Sequence, residues 1–272
     1  MDQKESRFSF DSRLYNGSPD REPCPESMDI PAFIKRLDSL YNRGLEKAAG
    51  EQLRSGLEET RRIGDWRGEL SILSELLGYC RRSGERERAM DAVRDALEII
   101  RTHRMGTTVS GATVLLNAAT TLKCFGRAED SLPLFEHVSR VYSENLDPSD
   151  CRLAGLYNNM ALSLEDTGQY DAAEKYFRAA LKITEGSESS RNESAVTLCN
   201  LAELYDKKDP EDERIGECME RAFEYLTGPG SLPDGRNAFA VSKCAPSFDY
   251  FGYFLYSKLL KERAEKIYEL SR

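Results

Sequence analysis

The sequence predicts an all-α fold made of a row of helical hairpins, and the clearest hairpin lies in residues 157–183. Its first half spaces apolar residues as one face of an amphipathic helix does, at i, i+3, i+4 and i+7: Tyr157, Met160, Ala161 and Leu164. Gly168 interrupts this pattern, and a second stripe follows it: Tyr170, Ala173, Phe177 and Ala180. Because small and large residues alternate in these stripes, two antiparallel helices can pack closely together.

The same hairpin pattern recurs with a period of 42 residues. The turn glycines Gly84, Gly126 and Gly168 are 42 residues apart. The stripe of the first helix precedes each glycine by the same number of residues: Leu73, Leu76, Leu77 and Cys80, then Leu115, Ala118, Ala119 and Leu122. The second-helix stripe does the same: Ala89, Val93 and Ala96, then Ser131, Phe135 and Val138. Agreement at seven positions in three copies indicates an internal repeat.

Further copies extend the array on both sides. Residues 30–63 fit a weaker first copy, in which Arg36 stands at an apolar position, and residues 195–229 fit a copy whose turn is one residue longer at Asp209-Pro210. Residues 228–246 are rich in turn-forming residues and have no period, so we expect a long loop there. The pattern then returns in a truncated sixth copy. The predicted repeats lie near 30–63, 70–103, 112–145, 154–187, 195–229 and 245–272.

Residues 1–29 contain Gly17 and three prolines among alternating charges, and no period is sustained. We expect an irregular N-terminal tail there. Two interpretations stay open: a flexible or expression-derived segment, or a self-ligand. An extended chain of this length reaches at most about 95 to 105 Å, enough to lay residues 8–15 along the array.

The motifs of the best-preserved copy resemble the tetratricopeptide repeat, whose signature has a large residue, Leu-Gly, Tyr, Ala and Phe at these spacings. The period of 42 residues, residues 158–161 (Asn-Asn-Met-Ala) and Pro133 are similar to the repeats of kinesin light chains and related prokaryotic arrays. This resemblance implies a right-handed superhelical solenoid of about six repeats. Eight residues beyond the usual period are worth about two helical turns, so we expect long helices. Pro133 predicts a slight kink or late start of its helix.

Composition narrows the class of protein. No stretch of 18 apolar residues occurs among the 272, so we expect no membrane partner. The first ten residues lack the basic start and apolar run of a secretory signal, so we expect a cytoplasmic protein. No two of the seven cysteines lie within four residues of each other, so no local zinc or redox motif forms. A net charge of -9 disfavours nucleic acid as a partner.

Catalytic motifs are also missing from the sequence. It contains no phosphate-binding loop, no dinucleotide-binding glycine pattern and no HExxH zinc motif. The two histidines, His103 and His137, do not neighbour a recognisable nucleophile turn. We therefore expect a protein that is not an enzyme and that needs neither a cofactor nor a metal.

Ligand-facing positions follow from the buried ones. When the stripe of each first helix is numbered 4, 7, 8 and 11, positions 2, 5, 6, 9, 12 and 13 point the opposite way. In the family that the chain resembles, this face lines a concave groove that holds a peptide or a partner helix. Position 6 carries Asn117, Asn159 and Asn200, with Asn158 beside them. These amides could bind peptide backbone, or could instead bond a neighbouring helix or water.

Charged and aromatic side chains complete the predicted groove. Basic residues occupy this face in the amino-terminal half and acidic ones in the carboxy-terminal half: Lys35, Arg81, Arg82 and Lys123, then Glu165, Asp166, Glu203, Asp206 and Asp249. They could orient a ligand or be plain solvated surface. Tyr250, Tyr253 and Tyr256 are expected to face the groove, unless residues 248–256 form a packed capping helix.

We expect an adaptor that binds a peptide or protein segment in the groove. The alternative is a regulatory receptor resembling bacterial peptide sensors, in which a bound peptide changes the superhelix. The sequence leaves the oligomeric state and the identity of the partner open.

Overall fold

The computed structural model describes residues 10–19, 26–185 and 187–270. All regular structure within these ranges is helical, which confirms the all-α class. The α-helices are, in chain order, α1 Ile30–Asn42, α2 Glu46–Ile63, α3 Trp66–Ser83, α4 Arg86–Thr102, α5 Val109–Cys124, α6 Ala128–Asn145, α7 Cys151–Asp166, α8 Tyr170–Thr184, α9 Arg191–Lys208, α10 Arg214–Thr227, α11 Gly235–Tyr250 and α12 Phe254–Leu270. Three 3₁₀ turns accompany them, at Ser12–Tyr15, Met105–Thr107 and Glu188–Ser190.

The helices pair into six hairpins, as the repeats predict. The chain divides into two compact units, Met1–Asn145 and Leu146–Arg272. The first unit contains the hairpins α1/α2, α3/α4 and α5/α6. The second unit contains α7/α8, α9/α10 and α11/α12.

A glycine in the left-handed conformation closes most of these hairpins. Gly84, Gly126, Gly168 and Gly252 have φ values of 76°, 78°, 77° and 80°. A Cβ atom added to any of them would meet no atom within 4 Å. Glycine is therefore required at these turns by the backbone angle and not by a lack of space.

One backbone hydrogen bond recurs at these turns. The amide nitrogen of the residue after the glycine donates to the carbonyl oxygen at position 11 of the first helix. The N···O distances are 3.2, 2.9, 2.8 and 2.8 Å for Glu85 to Cys80, Arg127 to Leu122, Gln169 to Leu164 and Tyr253 to Phe248. The fifth hairpin has the lengthened turn and replaces this bond with one from Asp209 to Tyr205.

The predicted stripes form the core. Every first-helix and second-helix stripe residue of the second, third and fourth copies is buried except Tyr157 and Tyr170, which are half-buried. The fifth copy also buries the residues expected of its second helix, Ile215, Met219 and Ala222. In the first copy, Phe33, Leu37 and Leu53 are buried while Arg36 is exposed.

Long helices are confirmed, and Pro133 does not delay its helix. Helices α3 to α10 have 14 to 18 residues, against a mean of about 11 to 12 in globular proteins. Helix α6 begins at Ala128, two residues after Gly126, which is the same interval as in the neighbouring copies. The predicted late start is therefore wrong, because Pro133 lies well inside the helix.

The predicted loop at 228–246 is wrong from Gly235 onward. Residues Gly235–Tyr250 form α11, whose first turn is capped because the Asp234 carboxylate accepts from the amide nitrogen of Asn237 at 2.9 Å. The apolar stripe of α11 is Val241, Cys244, Ala245 and Phe248, all buried. Pro246 within the helix and the Gly and Pro residues before it conceal this stripe in the sequence.

The described part of the predicted tail is ordered against the first unit. Ser12–Tyr15 form a 3₁₀ turn, and Tyr15 is buried. This turn contacts α4, α6 and the 3₁₀ turn Met105–Thr107, so it lies against second helices and not against the face predicted to form the groove. Phe8 lies outside the described residues.

Replacing Gly126 by alanine should destabilise the protein. A Cβ atom at a positive φ costs about 1 to 2 kcal/mol, although no neighbouring atom obstructs it. Chemical denaturation followed by circular dichroism should show a lower midpoint.

Gly155→Ala is the matched control for this prediction. Gly155 also has no atom within 4 Å of an added Cβ, but it lies inside α7, where alanine is favoured by about 0.5 to 1 kcal/mol. A midpoint that falls equally in both variants would contradict the role given to the turn angle.

Candidate functional site

A groove of about 600 Å³ opens in the second unit between the first helices of its three hairpins. Ligand pockets in proteins commonly have volumes of about 300 to 1,000 Å³. The groove lies over the amino-terminal halves of α7, α9 and α11. Position 2 of each of the three copies lies in its floor, as Gly155, Val196 and Phe239, and Ala154, Thr197 and Ala240 lie next to them in the sequence.

The floor of this groove is largely apolar, and its large apolar side chain is Phe239 of α11. Phe239 of α11 is 57% exposed, which is unusual for a phenylalanine in a concave surface. Gly155 of α7 and Ala240, which follows Phe239 in α11, also line the groove and fill little of it because they carry little or no side chain. An apolar side chain of a ligand could therefore pack against the Phe239 ring.

Two neighbouring amides line the groove with opposite polarity. Asn200 Nδ2 donates to Asn158 Oδ1 at 3.0 Å, and the Nδ2 donor of Asn158 has no partner among the described residues. Asn159 Nδ2 donates to Gly155 O at 2.8 Å, within its own helix, and its Oδ1 acceptor likewise has no partner in the described part of the chain. A donor and an acceptor side by side match the carbonyl and amide groups of an extended peptide.

A buried amide holds the α11 side of the groove in place. Asn237 Nδ2 donates to Asn192 Oδ1 of α9 at 2.9 Å and to the carbonyl oxygen of Leu226 at 3.2 Å. Its Oδ1 accepts from Arg263 Nε of α12 at 2.8 Å. Asn237 is fully buried. It therefore links the last four helices of the chain, and Phe239 stands two residues beyond it.

Two cations flank Phe239 on α11. Arg236 lines the groove, and the Lys243 ammonium lies 5.6 Å from the centre of the Phe239 ring. Neither forms an ion pair within the part of the chain that the structure describes. Glu193 of α9 is the acidic residue of the lining. The charge of this groove is therefore positive on its α11 side.

The other asparagine predicted at position 6 lies in the first unit. Asn117 Nδ2 donates to Ser74 Oγ at 2.8 Å, so its amide binds the neighbouring first helix, as one of the two interpretations expected. Asn200 binds Asn158 in the equivalent way. In both cases position 6 donates to position 5 of the preceding copy.

The predicted basic residues are engaged within the first unit. Arg81 Nη1 donates to Asn117 O at 3.2 Å and to Thr121 Oγ1 at 2.9 Å, and burial lowers the pKa of Arg81. The Arg82 guanidinium lies 4.4 Å from the centre of the Tyr41 ring. Lys123 is half-buried near the end of α5.

The predicted acidic residues tie neighbouring first helices in the second unit. Glu203 accepts from Ser247 Oγ at 2.6 Å, and Asp206 accepts from the Tyr250 hydroxyl at 2.9 Å. The bond to Asp206 raises the pKa of Tyr250. Glu165 is buried beside the Lys207 ammonium, and burial raises the pKa of Glu165 although Lys207 opposes the shift.

Only one of the three predicted groove tyrosines lies on a first helix. Tyr250 is near the end of α11 and is exposed. Tyr253 and Tyr256 follow Gly252 and pack with second helix α10: the Tyr256 and Phe223 rings stack at 4.0 Å, and the Tyr253 and Tyr256 rings lie 5.7 Å apart. The expectation that both face the groove is wrong, because α11 ends before them at the left-handed glycine.

Sequence reasoning missed Phe239, Arg236 and Lys243 because they lie in the segment taken for a loop. The sequence does contain a signal for helix α11, because Gly252 stands 84 residues, or two periods, after Gly168. Counting back from it places α11 in the same register as α7.

Part of the chain matches a known protein family. A family model described as the tetratricopeptide repeat matches residues 152–214, which span α7 to the start of α10. The chain contains tetratricopeptide repeats. The predicted family is thereby confirmed over this stretch, which includes α7 and α9 of the groove. None of the curated proteins compared with the chain matches it.

Solved structures of tetratricopeptide repeats share this fold. The TPR-like repeats of a protein from Podosopora anserina described as a kinesin light chain are 14% identical, with a TM-score of 0.54, over 75% of this chain and 96% of that one. BtubC (BKLC) from P. vanneervenii is 17% identical, with a TM-score of 0.50, over 90% of this chain and 92% of that one. At these identities the likeness concerns the fold alone. The hand of the superhelix stays a prediction.

The described residues contain neither a cluster suited to a metal ion nor a helix suited to a membrane. Within residues 10–19, 26–185 and 187–270, no group of three or more His, Cys, Asp or Glu side chains could hold a metal ion. Among the described helices, none combines the length and the apolar character needed to cross a membrane.

Replacing Asn237 by leucine should destabilise the second unit by about 2 to 3 kcal/mol. The change removes the acceptor of Arg263 Nε and one of two donors to the Leu226 carbonyl, which keeps its bond from Ser231 Oγ. Denaturant unfolding followed by circular dichroism measures the loss.

The matched control is Asn159→Leu, in which the lost hydrogen bond joins the amide to a carbonyl of its own helix. Its effect should stay within about 0.5 kcal/mol. Equal losses of unfolding free energy in the two variants would show that the Asn237 contacts between helices do not stabilise the unit more than a bond within one helix does.

Proposed function

We propose that the groove of the second unit binds an extended segment of a partner protein. The observation that carries this proposal is the 600 Å³ opening between α7, α9 and α11, which an exposed Phe239 lines together with small residues. Solenoid repeats present extended surfaces of this kind to other proteins. A general protein-binding role is therefore supported by the family, and the groove is our proposal for its place.

The ligand would be anchored by an apolar side chain against Phe239. Burying an aliphatic or aromatic side chain contributes about 1.5 to 3 kcal/mol. The small residues Gly155 and Ala240 give such a side chain space to enter. This contact should supply the largest part of the affinity.

The backbone of the ligand would bind the amide pair. The Asn158 Nδ2 group would donate to a peptide carbonyl, while Asn159 Oδ1 would accept from a peptide amide. Such bonds do not depend on the side chains of the ligand. They would favour an extended segment over a helix, whose backbone groups already bond one another.

Charge would orient the ligand across the groove. Arg236 and Lys243 favour an acidic residue next to the apolar anchor on the α11 side, whereas Glu193 disfavours one on the α9 side. Exposed ion pairs contribute about 0 to 1 kcal/mol each, so charge should affect orientation more than affinity.

The predicted groove residues of the first unit have other contacts in the structure. Asn117 and Arg81 bind neighbouring side chains and backbone there. Of the predicted set, we therefore propose Asn158 and Asn159 as ligand-binding residues, with Asn200 positioning Asn158. That the chain is not an enzyme stays our expectation.

A selection from random twelve-residue peptides against the full chain would test the proposal. The selected sequences should share an apolar residue with an acidic neighbour. The tightest peptide, labelled with a fluorophore, should then bind at least tenfold more weakly to Phe239→Ser, as measured by fluorescence anisotropy.

Leu255→Ser is the matched control, because Leu255 is 67% exposed on α12 and does not line the groove. It should bind the peptide as the unmodified protein does. If Phe239→Ser keeps full affinity, or if both variants lose it equally, the groove is not the binding site.

A charge variant tests the orientation separately. Arg236→Glu combined with Lys243→Glu should weaken binding of the acidic peptide by about three- to tenfold, with a smaller effect at high salt. Lys258→Glu on α12 serves as the control, since this lysine is also exposed but does not line the groove. An unchanged affinity in the double variant would remove the acidic neighbour from the proposal.

A further inference from the structure

The N-terminal segment, residues 10–19, is seated on a buried histidine of the first unit. The rings of Phe10 and Tyr15 lie 4.6 Å apart, and both approach the His137 ring of α6, at 5.6 and 6.4 Å. His137 is only 2% exposed. The segment therefore forms part of the cover that keeps water from this imidazole.

The surface beneath the segment fits it closely. A Cβ atom on Gly106 would lie 2.2 Å from the Tyr15 carbonyl oxygen, so any residue other than glycine would displace the segment. Thr107 Oγ1 also donates to the Gly17 carbonyl at 3.1 Å. These contacts belong to the 3₁₀ turn between α4 and α5.

His137 is held in its neutral form. Its Nε2 atom lies 2.9 Å from the Gly106 carbonyl oxygen, which can only accept, so Nε2 carries the proton. Its Nδ1 atom is buried and has no partner within the described residues. A second proton would have to sit on Nδ1, where nothing accepts a hydrogen bond from it.

The charged groups around the site do not supply that acceptor. On α6, Arg140 disfavours and Glu144 favours the protonated imidazole, and the main effect is burial, which lowers the pKa of His137. From α4, Glu98 and Arg101 lie near Tyr15 and pair with each other at 2.6 Å. In the segment, Asp11 pairs with Arg13 at 2.7 Å, and burial raises the pKa of Tyr15, so its phenol is neutral.

We propose that the surface around His137 and Gly106 is a proton-gated docking site for residues 10–19, which leave it when His137 takes up a second proton. Departure of the segment opens Nδ1 to water, which can accept the new hydrogen bond. It also uncovers the apolar surface on which Phe10 and Tyr15 sit.

The direction of the pH effect follows from linkage. With the segment released, His137 should titrate near its ordinary pKa of about 6.5, and with the segment seated it titrates lower. The seated state is therefore favoured above about pH 6.5 and loses that advantage as the pH falls below it. The opening equilibrium should therefore rise from pH 7.5 to 5.5, by at most about tenfold.

Trypsin cleavage after Arg13 in the full chain measures this opening. The rate is divided by the rate for a free peptide of residues 10–19 at the same pH, which removes the pH dependence of the protease. The ratio should rise severalfold, and by at most about tenfold, from pH 7.5 to 5.5, while far-ultraviolet circular dichroism shows an intact array. A ratio that does not change with pH overturns the proposal.

His137→Gln is the decisive variant, because the glutamine amide can still donate to the Gly106 carbonyl but does not titrate. Its cleavage ratio should vary less than twofold over the same range. A tenfold rise in this variant would place the proton elsewhere and overturn the proposal.

A second measurement does not depend on that variant folding. Nuclear magnetic resonance titration of the unmodified chain should give His137 a pKa below 6.5. In Tyr15→Ala, which loosens the segment, the pKa of His137 should move towards 6.5. An unchanged His137 pKa in Tyr15→Ala would show that the segment does not control this proton.

Discussion

The architecture depends on one constraint: each first helix must stop where its partner can fold back over the same buried stripe. A glycine with φ near 77°, and the backbone bond across it to the carbonyl at position 11, stop the helix two or three residues after that position. The second helix can then begin two residues later, as it does after Gly84, Gly126 and Gly168. With the turn held constant, the stripes at positions 4, 7, 8 and 11 face their partners in every copy, and stacking follows from repetition.

First helices of neighbouring copies also contact each other at recurring positions, through polar and aromatic side chains. The side chain at position 13 of a first helix contacts the side chain at position 12 of the preceding first helix. The Arg82 guanidinium stacks on the Tyr41 ring, the Lys207 ammonium pairs with the Glu165 carboxylate, and the Tyr250 hydroxyl donates to the Asp206 carboxylate. The ends of the first helices in each unit are thus occupied by contacts that support stacking. In the second unit, the face remains open to a ligand towards the beginnings of these helices, where the groove lies.

Periodicity made most of the fold predictable, because a buried stripe must recur wherever the hairpin does. It could not place α11, since Pro246 and the preceding glycines are typical of loops even though Asp234 caps a helix there. It also could not tell which way an amide points. Asn158 and Asn159 are identical in sequence terms, yet one offers a donor and the other an acceptor because their other atoms bond Asn200 and Gly155. Phe10 and Tyr15 show the same limit, since their partner His137 is more than 120 residues away.

The buried Asn237 has a consequence for how the array comes apart. In a solenoid, each repeat is stabilised by its nearest neighbours, and terminal repeats fray first. Asn237 joins α9, α10, α11 and α12 through Asn192, Leu226 and Arg263, so the last hairpin cannot detach without breaking bonds to the one before it. The last two hairpins should therefore unravel as one cooperative unit.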